Sequence, residues 1–232
     1  AMAYPQHRDL PAGVDFMISE TKRVKHELEM ILGKIIVEEE VEAAFEVYED
    51  YRKTMREFTE VAAQHPEIIG AKTRHLIIKA GQFMDKAVYT KDVKEIIEGL
   101  KAEPASNFKG TKVIVTGLLS EPVEVLEIFE ENDVAIVGDD LSMGSRLWRT
   151  PARDTDEDVY HKMAYIVADQ RGDTFLYEPK KTRGQMLIDM VKEKSADAVV
   201  VMMMKFCDPE EYDYPIYKAE LEEAGVPELY LE

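Results

Sequence analysis

A chain of 232 residues, 45% hydrophobic and 33% charged, is long enough to bury a substantial core and has the composition of an ordinary globular protein. Its net charge of −18 repels phosphate backbones and anionic headgroups, which speaks against nucleic acid and membrane surfaces as partners. A single cysteine excludes an internal disulfide and fits a reducing, cytoplasmic setting, and Ala1-Met2-Ala3-Tyr4-Pro5 lacks the basic flank and apolar stretch of a signal peptide.

Residues 1–105 read as a helical segment. Val24, Leu28, Ile31 and Ile35 recur at three- and four-residue steps and predict one apolar stripe. A longer stripe runs through Val41, Phe45, Tyr48, Met55, Phe58 and Ala62 and ends before His65-Pro66. Leu76, Ala80 and Phe83 predict a third, with Gly81 inside it. Val93, Ile96, Ile97 and Leu100 form a fourth, with Thr90 as a candidate N-cap. These stripes predict core and carry no chemistry.

Pro104, Ser106, Asn107 and Gly110 mark a linker, and residues 106–232 then read as an α/β domain. Lys112–Gly117 is a buried strand ending in glycine, followed by a helix over Glu121–Glu130 capped by Ser120. Val134–Gly138 is a second strand, ending at Asp139-Asp140. Thr155-Asp-Glu-Asp158 has the form of a capping box for a helix reaching Ala168. A helix over Gln185–Lys194 leads to the most apolar strand, Ala196–Met204; a helix within Glu210–Ala224 and a last strand, Val226–Leu231, follow. Strand–helix alternation with continuously apolar strands predicts a doubly wound, mainly parallel sheet of Rossmann or flavodoxin-like type. A covering helix normally follows such a final strand, so native sequence is expected beyond Glu232.

In an open parallel sheet, ligands bind at the carboxyl ends of the strands where the winding reverses. That rule selects Thr116-Gly117-Leu118, Gly138-Asp139-Asp140 and Lys205-Phe206-Cys207-Asp208 as tips of one rim. Cys207 sits at a turn before Asp208-Pro209; it is read as a ligand, a nucleophile or a small buried hydrophobe. Asp139 and Asp140 are candidates for general base or metal ligand, or for caps and solvated acids. The rim candidates for catalysis are Gly117, Asp139, Asp140, Arg146 and Lys205, with no role assigned among them. Gly117 has no G-x-G-x-x-G continuation and no phosphate-binding G-x-x-x-x-G-K-[ST] run occurs, which removes nicotinamide and P-loop chemistry. Pro179-Lys-Lys-Thr-Arg-Gly184 is the densest basic stretch, either an anion or acidic-partner site or a solvated helix start. Met202-Met203-Met204 predicts adaptable core filling, and Trp148 between Arg146 and Arg149 reads as a surface platform or as packing.

The run Lys205-Phe-Cys-Asp-Pro-Glu-Glu-Tyr-Asp-Tyr-Pro215, with Leu221-Glu-Glu-Ala-Gly-Val-Pro227 after it, resembles the 2-hydroxyacyl-CoA dehydratase family, which includes the benzoyl-CoA reductase subunits. The likeness is nearest to the 2-hydroxyisocaproyl-CoA dehydratase type. Val113–Leu118, Asp139-Asp140-Leu141 with Arg146, Tyr177–Gly184 and Arg52-Lys-Thr-Met-Arg56 extend it over almost the whole chain.

The resemblance implies a subunit with a four-iron four-sulfur cluster held by three cysteines, the last matching Cys207. It implies a heterodimer with a homologous subunit, an acyl-CoA substrate, and a separate ATP-hydrolysing iron–sulfur activator that supplies a low-potential electron. The α-hydroxyl is a poor leaving group and the β-proton weakly acidic, so the implied route is elimination of water through a ketyl radical. The alternatives are a benzoyl-CoA-reductase-like subunit and a non-catalytic electron-relay or scaffold subunit. The family's N-terminal domain, with the other two cluster cysteines, has no counterpart here, so the chain is expected to be a C-terminal part, inactive alone and without a retained cluster.

Overall fold

The computed structural model describes residues 1–232 and contains eight α-helices and a four-stranded, all-parallel sheet. Four helices come first: α1 (Pro11–Leu32), α2 (Glu38–Ala62), α3 (Ala71–Ala80) and α4 (Lys86–Ala102). The remainder alternates as β1 (Thr111–Gly117), α5 (Val123–Glu131), β2 (Val134–Leu141), a 3-10 turn (Ser145–Leu147), α6 (Val159–Asp169), α7 (Arg183–Lys194), β3 (Ala198–Met202), α8 (Asp208–Glu223) and β4 (Glu228–Leu231). No helix is long and apolar enough to cross a membrane.

The strand order β2-β1-β3-β4 makes the sheet doubly wound. From β1 the chain moves outward to β2, then crosses back to place β3 on the other side of β1. Strand alternation sorts the side chains. Val113, Val115, Ile136, Val200 and Met202 meet α5 through Leu126 and Phe129, whereas Ile114, Val137, Val199 and Val201 meet α7 and α8 through Leu187, Ile188, Tyr217 and Leu221. Between Val113 and Ile114 the β1–β2 register shifts: Ile136 pairs with Val113 but Gly138 with Ile114, leaving Val137 as an extra residue. The insertion reverses the phase of everything after it in β2, which decides where Asp139 and Asp140 point.

The second and fourth predicted stripes form real core. Met55, Phe58, Val93, Ile97 and Leu100 close α2 against α4, with Trp148 packed into the same cluster. Burying each such side chain contributes on the order of 1.5–3 kcal/mol. Trp148 is therefore packing and no surface platform. The first stripe fails as core: Ile31 and Ile35 are 79% and 76% exposed, and α1 instead uses Met17 and Ile18 against Phe45, Val159 and Tyr160. Periodicity shows that a face is apolar and says nothing of what covers it. In the third, Leu76 and Phe83 face outward while Ala71, Arg74 and Ile78 are buried.

Helix starts also moved. Asp85 caps α4, accepting from the backbone N–H groups of Ala87 and Val88 at 3.0 and 3.1 Å, while Thr90 lies buried inside the helix. Asp158, and not Thr155, caps α6 by accepting from His161 N at 3.0 Å. Near the chain start the buried Arg8 donates to the carbonyl oxygens of Val167, Gln170 and Tyr177, binding the N-terminal segment to the end of α6.

Candidate functional site

At the carboxyl end of the sheet, β1 and β3 run side by side through the point where the winding reverses. Gly117 pairs with Met202 at that point. Its φ of +141° is poorly accessible to L-residues, and a Cβ there would collide with the Met202 carbonyl oxygen. Gly117 thus serves the rim through its backbone.

Asp139 and Asp140 lie inside β2 and are buried, whereas the sequence placed them beyond its end. Because of the register shift, Asp140 stands opposite Thr116 and faces α7 and α8. Its carboxylate accepts from Arg146 Nε at 3.0 Å, Arg146 Nη2 at 3.0 Å, Arg183 Nε at 2.8 Å and Thr116 Oγ1 at 2.9 Å, and it also pairs with Arg149. Burial opposes its charge, but Arg183, Arg146 and Arg149 outweigh that penalty and hold the carboxyl well below the usual carboxylate range. Such a group stays ionised and is a weak proton acceptor.

Arg146 and Arg183 both reach a second buried acid, Glu210, in the first turn of α8. Arg146 Nη1 donates to Glu210 Oε1 at 3.1 Å. Arg183 Nη2 lies 2.7 Å from Glu210 Oε2 without hydrogen-bond alignment, and its guanidinium stacks 4.8 Å from the centre of the Tyr217 ring. Burial disfavours both guanidinium charges, yet the facing carboxylates raise the pKa of each above the ordinary value. These contacts join the tips of β1 and β2 to the starts of α7 and α8. In a low-dielectric interior, removing one member strands the others.

Asp139 belongs to a different contact set. It points to the α3 face, where Arg74 Nη2 sits 2.5 Å from Oδ2. Its Oδ1 accepts from the backbone N–H groups of Leu141 and Ser145 at 3.2 and 2.8 Å. Gly144 makes room for that loop, since a Cβ there would lie 2.6 Å from Asp139 Oδ1.

Cys207 is buried and occupies the N-cap position of α8, three residues before Glu210. Phe206, beside it, has a φ of +63° and is 90% exposed. Lys205 is exposed and joins none of the buried groups; its nearest acid is Glu232, at 4.0 Å. Of the rim candidates, the structure brings Asp140 and Arg146 into direct contact, puts Asp139 on the opposite face of the sheet, and leaves Lys205 at the surface.

Thr116 was selected as a strand tip; the residues missed by sequence reading are Arg149, Arg183 and Glu210 as members of its network, and Arg74 as the partner of Asp139. Two of these had a signal. Arg183 lies in the basic stretch, where its charge is taken up by Asp140 and Glu210, and Glu210 lies one helical turn beyond Cys207. Arg74 had none, because it sits on a helix face read from its apolar neighbours.

A protein-family model described as 2-hydroxyglutaryl-CoA dehydratase, D-component, matches residues 1–232. The chain belongs to this family. It is 44% identical over 229 residues to the lactoyl-CoA dehydratase subunit beta of Anaerotignum propionicum, covering 99% of this chain and 61% of the relative. It is 40% identical over 230 residues to the (R)-phenyllactyl-CoA dehydratase beta subunit of Clostridium sporogenes, covering 98% and 60%. To the (R)-2-hydroxyglutaryl-CoA dehydratase subunit beta of Acidaminococcus fermentans it is 35% identical over 231 residues, covering 98% and 61%. The chain thus spans about three-fifths of the length of these relatives.

An iron–sulfur cluster needs a set of thiolates. Cys207 is the sole cysteine, and no three His, Cys, Asp or Glu side chains are grouped to hold a metal ion. A four-iron four-sulfur cluster therefore does not fit these residues by themselves. Cys207 is the one thiolate these residues could offer such a group.

Proposed function

We propose that the chain is part of a subunit of a 2-hydroxyacyl-CoA dehydratase, an enzyme eliminating water from a 2-hydroxyacyl thioester in a complex with a homologous partner subunit and an electron-delivering activator. The observation carrying this reading is the match of the whole chain to the D-component family, together with relatives whose names are dehydratase beta subunits. Within that complex, residues 1–232 act as the scaffold that fixes one rim position, Cys207, at the start of α8. Cys207 serves as one ligand of a four-iron four-sulfur cluster whose other ligands lie outside these residues. The Asp140–Arg146–Arg183–Glu210 network is the support that holds the Cys207 turn in place, because Glu210 and Cys207 share the first turn of α8. The alternative of a benzoyl-CoA-reductase-like subunit is disfavoured by the dehydratase names of these three relatives.

The test is the full-length subunit, assembled with its partner and activator and supplied with lactoyl-CoA, phenyllactyl-CoA, 2-hydroxyglutaryl-CoA and benzoyl-CoA. Formation of an enoyl thioester from at least one 2-hydroxyacyl substrate, and loss of about one cluster's iron from the subunit carrying Cys207→Ser, is the expected result. Reduction of benzoyl-CoA with no enoyl product, or full iron content in Cys207→Ser, overturns the reading.

A further inference from the structure

Beside the network lies a cleft of about 450 Å³ along the free edge of β2. Its floor is Val137, Gly138 and Asp139, the stretch containing the register shift; α2 and α7 form its walls, and the Trp148–Arg149 turn closes one end. That volume falls within the range of small-ligand clefts, roughly 300–1,000 Å³. Gly138 keeps the floor open: a Cβ there would project towards Ile114, Met190 and Lys194. Gly138 also sits at the bulge, where strand glycines recur.

The charges around the cleft do not balance. Four basic residues (Arg56, Arg74, Arg149, Lys194) and three acidic ones (Glu60, Asp139, Glu193) line it. Arg74 is matched by Asp139, Arg149 by Asp140, and Lys194 by Glu60 and Glu193. Arg56 has no carboxylate within ion-pair distance; its one hydrogen bond runs from Nη1 to the Trp148 carbonyl oxygen at 2.6 Å. Arg8, which is fully buried and also lacks a carboxylate, fills its donors with three carbonyls, whereas Arg56 is half-buried and has donors left over. Burial pulls the pKa of Arg56 below the ordinary arginine value, partly offset by Glu49, as for a cation lacking its counter-ion. In a chain of net charge −18, an unmatched guanidinium at the mouth of a cleft is an invitation to an external anion.

The geometry points to a binding site for a small organic monocarboxylate with an apolar body, its carboxylate on Arg56 and its body against Val137, Met186 and Met190. One unmatched cation suits one negative charge. A phosphomonoester dianion would bring a second charge near Glu60 and Glu193 with nothing to offset it. Methionine side chains, flexible and polarizable, suit a wall that adapts to bodies of different shape. This site is separate from Cys207 and stands whether or not the dehydratase reading does.

The probe is 3-phenylpropionate titrated into the 232-residue chain by calorimetry, with 3-phenylpropanamide and inorganic phosphate as controls. The carboxylate is expected to bind one-to-one, with the amide at least about tenfold weaker and phosphate weaker than the carboxylate. Arg56→Gln should weaken the carboxylate at least about tenfold, and Arg56→Lys less. Met190→Trp, which fills the cleft and leaves Arg56 untouched, should also abolish binding, with the far-ultraviolet circular dichroism and melting of each variant confirming a folded chain. No carboxylate binding at millimolar concentration, equal binding of acid and amide, tighter binding of phosphate, or an unchanged affinity in folded Arg56→Gln or Met190→Trp each overturns the proposal.

Discussion

Two neighbouring aspartates on one strand meet opposite fates. Asp140 faces α7 and α8 and gathers three guanidiniums and a hydroxyl, whereas Asp139 faces α3 and is held by one arginine and two backbone N–H groups. The peptide chain separates them by one peptide bond and the sheet separates their side chains by its whole thickness. What divides them is the extra residue at Val137, without which Asp140 would turn towards α5 and Asp139 towards α7. One side becomes a brace joining four elements, the other a clasp for a single loop.

The contrast can be broken most severely at Asp140. Asp140→Asn leaves Arg146 and Arg183 buried without their central anion and should destabilise the chain by about 3–5 kcal/mol, read from urea unfolding followed by circular dichroism. A cost like that of a surface change would show that the network carries no such weight. Acid provides the same perturbation without mutation. The Asp140 carboxyl titrates lower in the folded chain than in the unfolded one, so on acidification the unfolded chain takes up the proton first. Stability from this group is complete above the unfolded carboxylate value of about 3.9 and drains as pH falls below it. The wild-type protein should lose more stability than Asp140→Asn between about pH 4 and pH 2; parallel acid curves would remove Asp140 as the source.

A smaller effect is expected on the other face. Asp139→Asn retains a hydrogen-bond acceptor and loses one ion pair, so its cost should be about 1–3 kcal/mol, less than that of Asp140→Asn. The finest test is the double variant. If the sheet insulates the two sets, the free-energy costs of Asp139→Asn and Asp140→Asn should add to within about 0.5 kcal/mol despite their adjacency. A larger coupling would join the two sets into one.

Much of the architecture was legible because apolar strands and helical spacing are local signals. Lys112–Gly117 and Gln185–Lys194 fall inside the observed β1 and α7, and the parallel, doubly wound arrangement follows from their alternation. The strand ends were less so. β2 runs on through Asp139 and Asp140 because ion pairs make buried acids tolerable there, and of those partners Arg146 is six residues away whereas Arg74 and Arg183 are distant in sequence. The exposed stripe of α1 shows the converse, an apolar pattern with nothing packed upon it. Rim residues could be selected from strand ends alone, but whether a charge there is free or spent depends on contacts up to 67 positions apart, such as Arg183 to Thr116.

The turn carrying Cys207 has both its ends tied down. Met203 donates its N–H to Leu231 O at 2.8 Å on the β4 side, and Glu210 anchors the far side through Arg146. A short arc between two fixed points has few backbone shapes available, and Phe206 already occupies the left-handed region to complete it. Much of the entropy of ordering this turn is therefore surrendered when the polypeptide folds.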